Sequence, residues 1–392
     1  MRNEAGVIAV LFGSLFLATV DNQLLIPLLP TLNGEFGIPI GQLGWLFSLY
    51  ALSAAVFNLL IGPLTDRYGR VPFLLFGLLT FVGISLLMTQ TRSFADLLGL
   101  RALAGLAGGM LSTCTAGLVG DLFSYERRGR VMGFVLSSYF VALILGIPLG
   151  SWIGSSFGWR NIFWFSAGGG VLLLLLSSLV WKRGGSLKRD SKVEVPFRLR
   201  DLLASRSTAS GLVISFLVSG GTLAFLTFIS GHLSEGFELS AVQISSVFLV
   251  AGLAAGVASP ISGWLSDRWT KRRVFLLSNT ILVLPLVLLD RLGCGVLLFS
   301  SLFLISLCIA FRQTALQTLQ TELVPMPQRG TYLAIRNTFS QLGISASVFL
   351  AGFLYGDFGY GAVTWLAAAL TVTASLVLFF LVPEPGRTED SR

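Results

Sequence analysis

The sequence predicts an all-α membrane protein of twelve transmembrane helices, arranged as two six-helix bundles related by an internal repeat. Three observations carry this. Of 392 residues, 54% are hydrophobic and only 12% are charged, with a mean hydropathy of +0.81. Apolar stretches of about 20 residues recur along the whole chain, the length a helix rising ~1.5 Å per residue needs to cross a ~30 Å hydrocarbon core. Finally, GPLTDRYGR around Asp66 returns as SGWLSDRWTKR around Asp267. Inside lipid every backbone amide must be satisfied within its own segment, so each stretch is expected to be a helix.

The stretches begin near Gly6, Gly41, Pro72, Ala95, Arg130, Trp159, Thr208, Ala241, Val274, Gly295, Thr331 and Gly361. The first exceeds the apolar core of a cleaved signal and runs on through Pro27 and Pro30, so it reads as a retained span. The net charge of +8 raises the question of a nucleic-acid partner, but the 27 Lys and Arg residues form no single patch. They fall on alternate loops: only Arg92, Arg160 and Arg291 lie on the opposite side, and Arg101 and Arg312 lie within spans. This is the positive-inside bias of a membrane protein with both termini in the cytoplasm. Membrane lipids are therefore expected as partners and nucleic acid is not.

Cys114, Cys294 and Cys308 have no metal-ligand spacing and read as small packing residues, with no disulfide, metal or cofactor implied. The single histidine, His232, reads as a packing residue near the outer end of the seventh span.

The repeat keeps one register. Asp66 and Asp267, Asp121 and Glu322, Arg128 and Arg329, Gly129 and Gly330, and Phe157 and Phe358 all stand 201 apart. Residues 1–181 and 207–392 are thus expected to be two bundles in parallel repetition, which places a cavity between halves near the bilayer midplane. Residues 182–206, polar and basic with Gly184, Gly185 and Pro196, read as a cytoplasmic linker.

The turn from Gly62 to Arg70 packs Asp66, Arg67 and Arg70 beside Gly69, between helices that must close on the cytoplasmic face. Acids near helix ends can pair with these bases, Asp121 and Glu126 being the candidates, and such a group can hold one conformation shut. Alternatively the charges only fix topology. GPLTDRYGR resembles the loop motif G-x-L-x-D-R-x-G-R of the major facilitator superfamily. LGLRALAGLAGG, with Arg101, resembles that superfamily's fourth-span motif, and GIPLGSWIG, from Gly146 to Gly154, its fifth-span antiporter motif. TVDNQLLIPLLP is similar to the first span of drug:proton antiporters. The resemblance implies a rocking two-bundle transporter whose loop motif locks the cytoplasmic side. This chain departs from the pattern by Ile147 between Gly146 and Pro148, by a lone Gly150, and by Thr270 where the first loop copy has Gly69. The second loop is therefore expected to contribute less to gating.

Gly146, Gly150 and Gly154 at four-residue spacing bare one helix face, and Pro148 removes a backbone donor. That face is expected to slide against a span of the other half, or else to serve ordinary close packing.

Asp21 carries the most weight, since an ionisable group within a span costs roughly 2.5 to 3.5 kcal/mol on insertion scales and usually serves a pathway. It lies about 22 Å, and Arg101 about 21 Å, from the inner end of their spans at ~1.5 Å per residue. Burial penalises the carboxylate and Arg101 supports it, so Asp21 is expected to carry a coupling proton, alternating between charged and neutral. A permanent structural ion pair is the plainer alternative. The positions 201 further on are Thr222 and Leu302, so the second half does not keep the pair.

Arg312, about 25 Å into the tenth span at ~1.5 Å per residue, either snorkels to cytoplasmic headgroups or points inward with Gln313, Gln317 and Gln341 to meet an anionic or zwitterionic group. Asn22, Gln23 and Asn58 can offer neutral hydrogen bonds to a substrate. The expectation is a monomeric, proton-coupled antiporter exporting small hydrophobic or amphipathic compounds, with compact loops suggesting a bacterial plasma membrane. The alternatives are a carrier of a sugar, organic anion or lysolipid, and a non-transporting receptor or scaffold. Enzyme chemistry is not expected: the sequence has no phosphate-cradling loop, zinc-ligand cluster or nucleophile paired with a base.

Overall fold

The computed structural model describes residues 4–182, 205–325 and 329–382. Nearly all of the expected linker lies outside them. Among the described residues every regular element is helical, and twelve helices are long and apolar enough to cross a membrane. In order they are Glu4–Phe36, Ile40–Gly62, Arg70–Met88, Phe94–Leu122, Arg127–Phe157, Asn161–Trp181, Arg206–Phe237, Ala241–Arg268, Lys271–Arg291, Val296–Glu322, Thr331–Phe358 and Tyr360–Leu381.

Local chemistry explains where they break. Pro27 interrupts the first span with a 3₁₀ turn over Ile26–Leu28, and Pro30 stands in the first turn of the next helix, where its missing N–H would have had no partner. The fourth span opens on a capping box: Ser93 accepts from the Asp96 amide at 3.1 Å, and Asp96 accepts from the Ser93 amide at 3.2 Å. The turns after the second and fifth spans use Gly69 and Gly158 at φ +92° and +90°, a region unfavourable to any residue with a Cβ. Gly359, 201 residues after Gly158, repeats that turn at φ +78°. Thr270, the counterpart of Gly69, keeps φ at −158° and instead caps its helix by accepting from the Arg273 amide at 3.2 Å.

The chain divides into two compact units, Met1–Val193 with Ser230–Leu249, and Glu194–Ile229 with Val250–Arg392. The last part of the seventh span and the start of the eighth thus group with the first unit, where Ser230 Oγ donates to the Ile26 carbonyl and Ser151 Oγ to the Ala241 carbonyl, both at 2.7 Å. In the first unit the second, third and fifth spans pack against the fourth, fourth and first, and the third also meets the sixth. In the second unit the ninth packs on the tenth and twelfth, the same pairing as third on fourth and sixth. The cores follow the 201-residue register: Leu17, Leu74, Leu118 and Leu173 are core residues of one unit, and Val218, Phe275, Leu319 and Ala374 of the other.

Cys114 and Cys308 are buried as expected of packing residues. Cys294 is not: it lies past the end of the ninth span in the turn before the tenth, where nothing covers it, and it is exposed. His232 packs edge-on against Phe237 with ring centres 5.2 Å apart.

Of the two roles expected for the bare face of the fifth span, the structure shows the close packing, within one half. A Cβ on Gly146, Gly150 or Gly154 would run into Gln23, the Leu24 carbonyl and Leu28, all on the first span of the same half. The glycines serve close approach of the first and fifth spans, so that the backbone of one lies directly on the other, and Pro148 sits inside the continuous helix Tyr125–Phe157.

Candidate functional site

The first span holds Asp21 a turn and a half before the break at Ile26, and the fourth span holds Arg101. Both side chains are buried, Asp21 at 2% and Arg101 at 0% exposure. One guanidinium nitrogen donates to Asp21 Oδ2 and the other to Asn22 Oδ1, so Asn22 is engaged by Arg101. Ser166 of the sixth span donates to the second oxygen, Asp21 Oδ1, at 3.3 Å. Tyr50 of the second span lays its ring under the guanidinium, 4.6 Å from the central carbon, and its hydroxyl donates to the Ala18 carbonyl at 3.0 Å. Four spans of the first unit, the first, second, fourth and sixth, therefore meet at this ion pair.

The fourth-span motif makes that geometry. Arg101, Gly105 and Gly108 share one helix face at spacings of four and three. A Cβ at Gly105 would strike the Tyr50 carbonyl and one at Gly108 its hydroxyl, so the bare face draws Tyr50 in beneath Arg101. Arg101 Nε has no partner among the described residues, which leaves one of the three guanidinium nitrogens without an acceptor. Arg101 is thus held by three contacts, the Asp21 carboxylate, the Asn22 oxygen and the Tyr50 ring. Ser166 and Tyr50 did not stand out in the sequence; four-residue spacing from Arg101 to the glycines was the available signal for the second.

The other candidate binding residues fall in two places. In the first unit Gln23 is buried with Oε1 unpartnered among the described residues, while Asn58 accepts from Thr113 at 2.9 Å and Ser112 at 3.4 Å, its Nδ2 unpartnered. In the second unit Gln313 and Gln341 are half-buried and Arg312 is 2% exposed, which excludes the snorkelling alternative for Arg312. Arg312 donates to Thr222 at 2.5 Å and Thr371 at 3.1 Å. It lines a cavity of about 180 Å³, counting the space that opens to its surroundings, with Gly221, Phe225, Leu286 and Ile309. Drug-sized ligands occupy pockets of roughly 300–1,000 Å³, so this cavity does not take one.

Where the third span begins and the fourth ends, Arg70 pairs with Asp121 at 2.9 Å and donates to the Gly117 carbonyl at 2.5 Å. Of the remaining loop residues, Arg67 is exposed and stacks on Tyr68 at 5.3 Å, and Gly62 faces open space. The side chains of Asp66 and Glu126 lie outside the described residues. The second unit has the same pair 201 residues on, Lys271 with Glu322 at 2.5 Å. The ion pair thus survives where the turn glycine does not, and mapping Arg70 onto Lys271 in the repeat register would have found it.

At 23% and 43% exposure the Arg70–Asp121 pair supports stability by at most about 1 kcal/mol. Asp121→Ala is expected to leave the unfolding midpoint nearly unchanged and to alter transport. Arg70→Ala is expected to be the more harmful, because it also frees the Gly117 carbonyl. Thermal unfolding and vesicle flux of both variants check this, and equal loss of stability in the two would contradict it.

Compared with known proteins, the family model described as Major Facilitator Superfamily matches residues 11–230 and 208–392. The chain belongs to the Major Facilitator Superfamily. The repeat that gives this member two overlapping matches is the one seen in its core register. The Uncharacterized MFS-type transporter YwfA of Bacillus subtilis (strain 168) is 30% identical over 379 residues, 95% of this chain and 91% of that protein. The Multidrug transporter protein MdtP of the same organism is 25% identical over 169 residues, 43% of this chain and 31% of its own length. The crystal structure of a D-xylose-proton symporter superposes with a TM-score of 0.80 at 15% identity, covering 98% of this chain and 99% of that one, a likeness of fold. The protein is accordingly an integral membrane protein of a transporter superfamily, with membrane transport of small organic molecules as its function and no catalysis.

Proposed function

We propose that this protein is a proton-coupled antiporter that exports small hydrophobic or amphipathic organic compounds by alternating access, with Asp21 as the proton carrier and Arg101 as its counter-charge. One observation carries the reading: a carboxylate in mid-span, 2% exposed, held by a guanidinium, a hydroxyl and no second acid among the described residues. Such a group is costly in a membrane unless it works. Proton uptake by Asp21 removes the ion pair, frees Arg101 from one of its two acceptors and loosens the joint between the first and fourth spans. Substrate arrival and proton departure then favour opposite conformations, which is the condition for exchange. Arg70 with Asp121, and Lys271 with Glu322, serve as latches on the cytoplasmic face of the halves 1–181 and 207–392. Direction and substrate class draw on the name of MdtP and on the fifth-span glycines. Both termini lie in the cytoplasm, the membrane is a bacterial plasma membrane, and the protein works as a monomer.

Proton release from everted vesicles on addition of lipophilic cations, neutral antibiotics, sugars and lysolipids in turn tests the reading. Release is expected with the amphipathic compounds. Release with a sugar or lysolipid alone would transfer the function to a defined solute, and binding without any flux would make the protein a receptor.

A further inference from the structure

Arg312 is a buried cation that no carboxylate neutralises among the described residues. Its two terminal nitrogens donate to Thr222 and Thr371, and its Nε has no partner among the described residues. Both hydroxyls spend their hydrogens elsewhere, Thr222 on the Val218 carbonyl at 2.6 Å and Thr371 on the Ala367 carbonyl at 2.8 Å. They therefore meet the guanidinium with lone pairs and supply no charge. Among the described residues no carboxylate forms an ion pair with Arg312, and the cavity it lines is otherwise made of glycine, alanine, phenylalanine, leucine and isoleucine.

The internal repeat shows what is missing. In the first unit a fourth-span guanidinium meets a first-span acid, Asp21, and a sixth-span hydroxyl, Ser166. In the second unit a tenth-span guanidinium meets the seventh span at Thr222, 201 residues after Asp21, and a twelfth-span hydroxyl, Thr371. The same three elements recur with the acid replaced by a neutral residue. A guanidinium carries five N–H donors in a fork that matches small anions, and a buried charge left without a partner is strongly unfavourable.

We propose that the cavity at Arg312 binds one small monovalent anion, a halide or a carboxylate of similar bulk, which takes the place that Asp21 holds in the first unit. Size supports a small occupant: the enclosed space has room for about one water-sized particle, which suits a single ion and nothing larger. The proposal is independent of proton coupling at Asp21.

Purified protein is unfolded thermally in rising sodium chloride, with sodium gluconate balancing ionic strength. A saturable rise of the midpoint with chloride, and likewise with bromide or formate, is expected, because a ligand of the folded state alone stabilises by mass action. Arg312→Gln is expected to abolish the rise. Should that variant fold poorly, Thr222→Asp supplies the carboxylate internally and is expected to make the midpoint independent of chloride. Radiolabelled chloride flux then separates the two sources, an ion that stays bound through turnover from one that is carried across; either supports the site. No difference between chloride, formate and gluconate in the wild-type protein, or chloride dependence unchanged in Thr222→Asp, overturns it.

Discussion

Asp21→Asn is expected to abolish substrate-driven proton release while leaving substrate binding in place. Asparagine keeps the size of the side chain and an oxygen that can accept from Arg101, but it cannot take up or release a proton. A gradient of one pH unit is worth about 1.4 kcal/mol per proton, or about a tenfold substrate gradient. The variant forfeits that accumulation and should only equilibrate substrate, as read by flux into everted vesicles with and without an imposed pH gradient. Uphill transport that persists in Asp21→Asn would place the coupling group elsewhere and leave Asp21 a structural partner of Arg101.

Arg101→Ala is expected to have the largest effect on stability. It strips the cation from a carboxylate that is 2% exposed, leaves Asn22 Oδ1 without its donor and uncovers the face of the Tyr50 ring. Breaking a buried pair from one side costs about 3–5 kcal/mol, chiefly from the charge left behind. That origin makes the loss conditional. In Asp21→Asn/Arg101→Ala no charge remains, so the double variant should be less destabilised than the two single changes summed, by about 0.5–3 kcal/mol. Strict additivity in thermal unfolding would mean that Arg101 acts mainly through packing on Tyr50. Arg101→Lys should recover only part of the stability, because one ammonium cannot span Asp21 and Asn22 as the guanidinium fork does.

Much of this architecture was legible in the sequence because lipid enforces it. Helix length follows from bilayer thickness, and the two halves follow from a register held without insertion from Asp66 to Phe358. The depth of Asp21 and Arg101 was legible for the same reason, since rise per residue converts position into height. Rotation about a helix axis is not so converted. Arg312 at a known depth could still have pointed to headgroups or inward, and only its neighbours Thr222 and Thr371 decide. Gly146, Gly150 and Gly154 announce that a backbone comes close but not whose, and the answer was the first span. Ser166 and Tyr50 were hidden because serine and tyrosine are ordinary in spans; what distinguishes them is convergence from the sixth and second spans on residues of the first and fourth.

The separation of Asp21 from Arg101 along the chain, 80 residues, also sets a timetable for biosynthesis. At about 5–20 residues per second the acid waits roughly 4–16 s for its cation to leave the ribosome. Through that interval the nascent first span carries an acidic side chain whose guanidinium partner has not yet been made. Arg312 is served in another order: Thr222 is made 90 residues ahead of it and Thr371 follows 59 later. The first half thus completes its ion pair only once the fourth span has been made, whereas the tenth span arrives to find one of its acceptors already waiting.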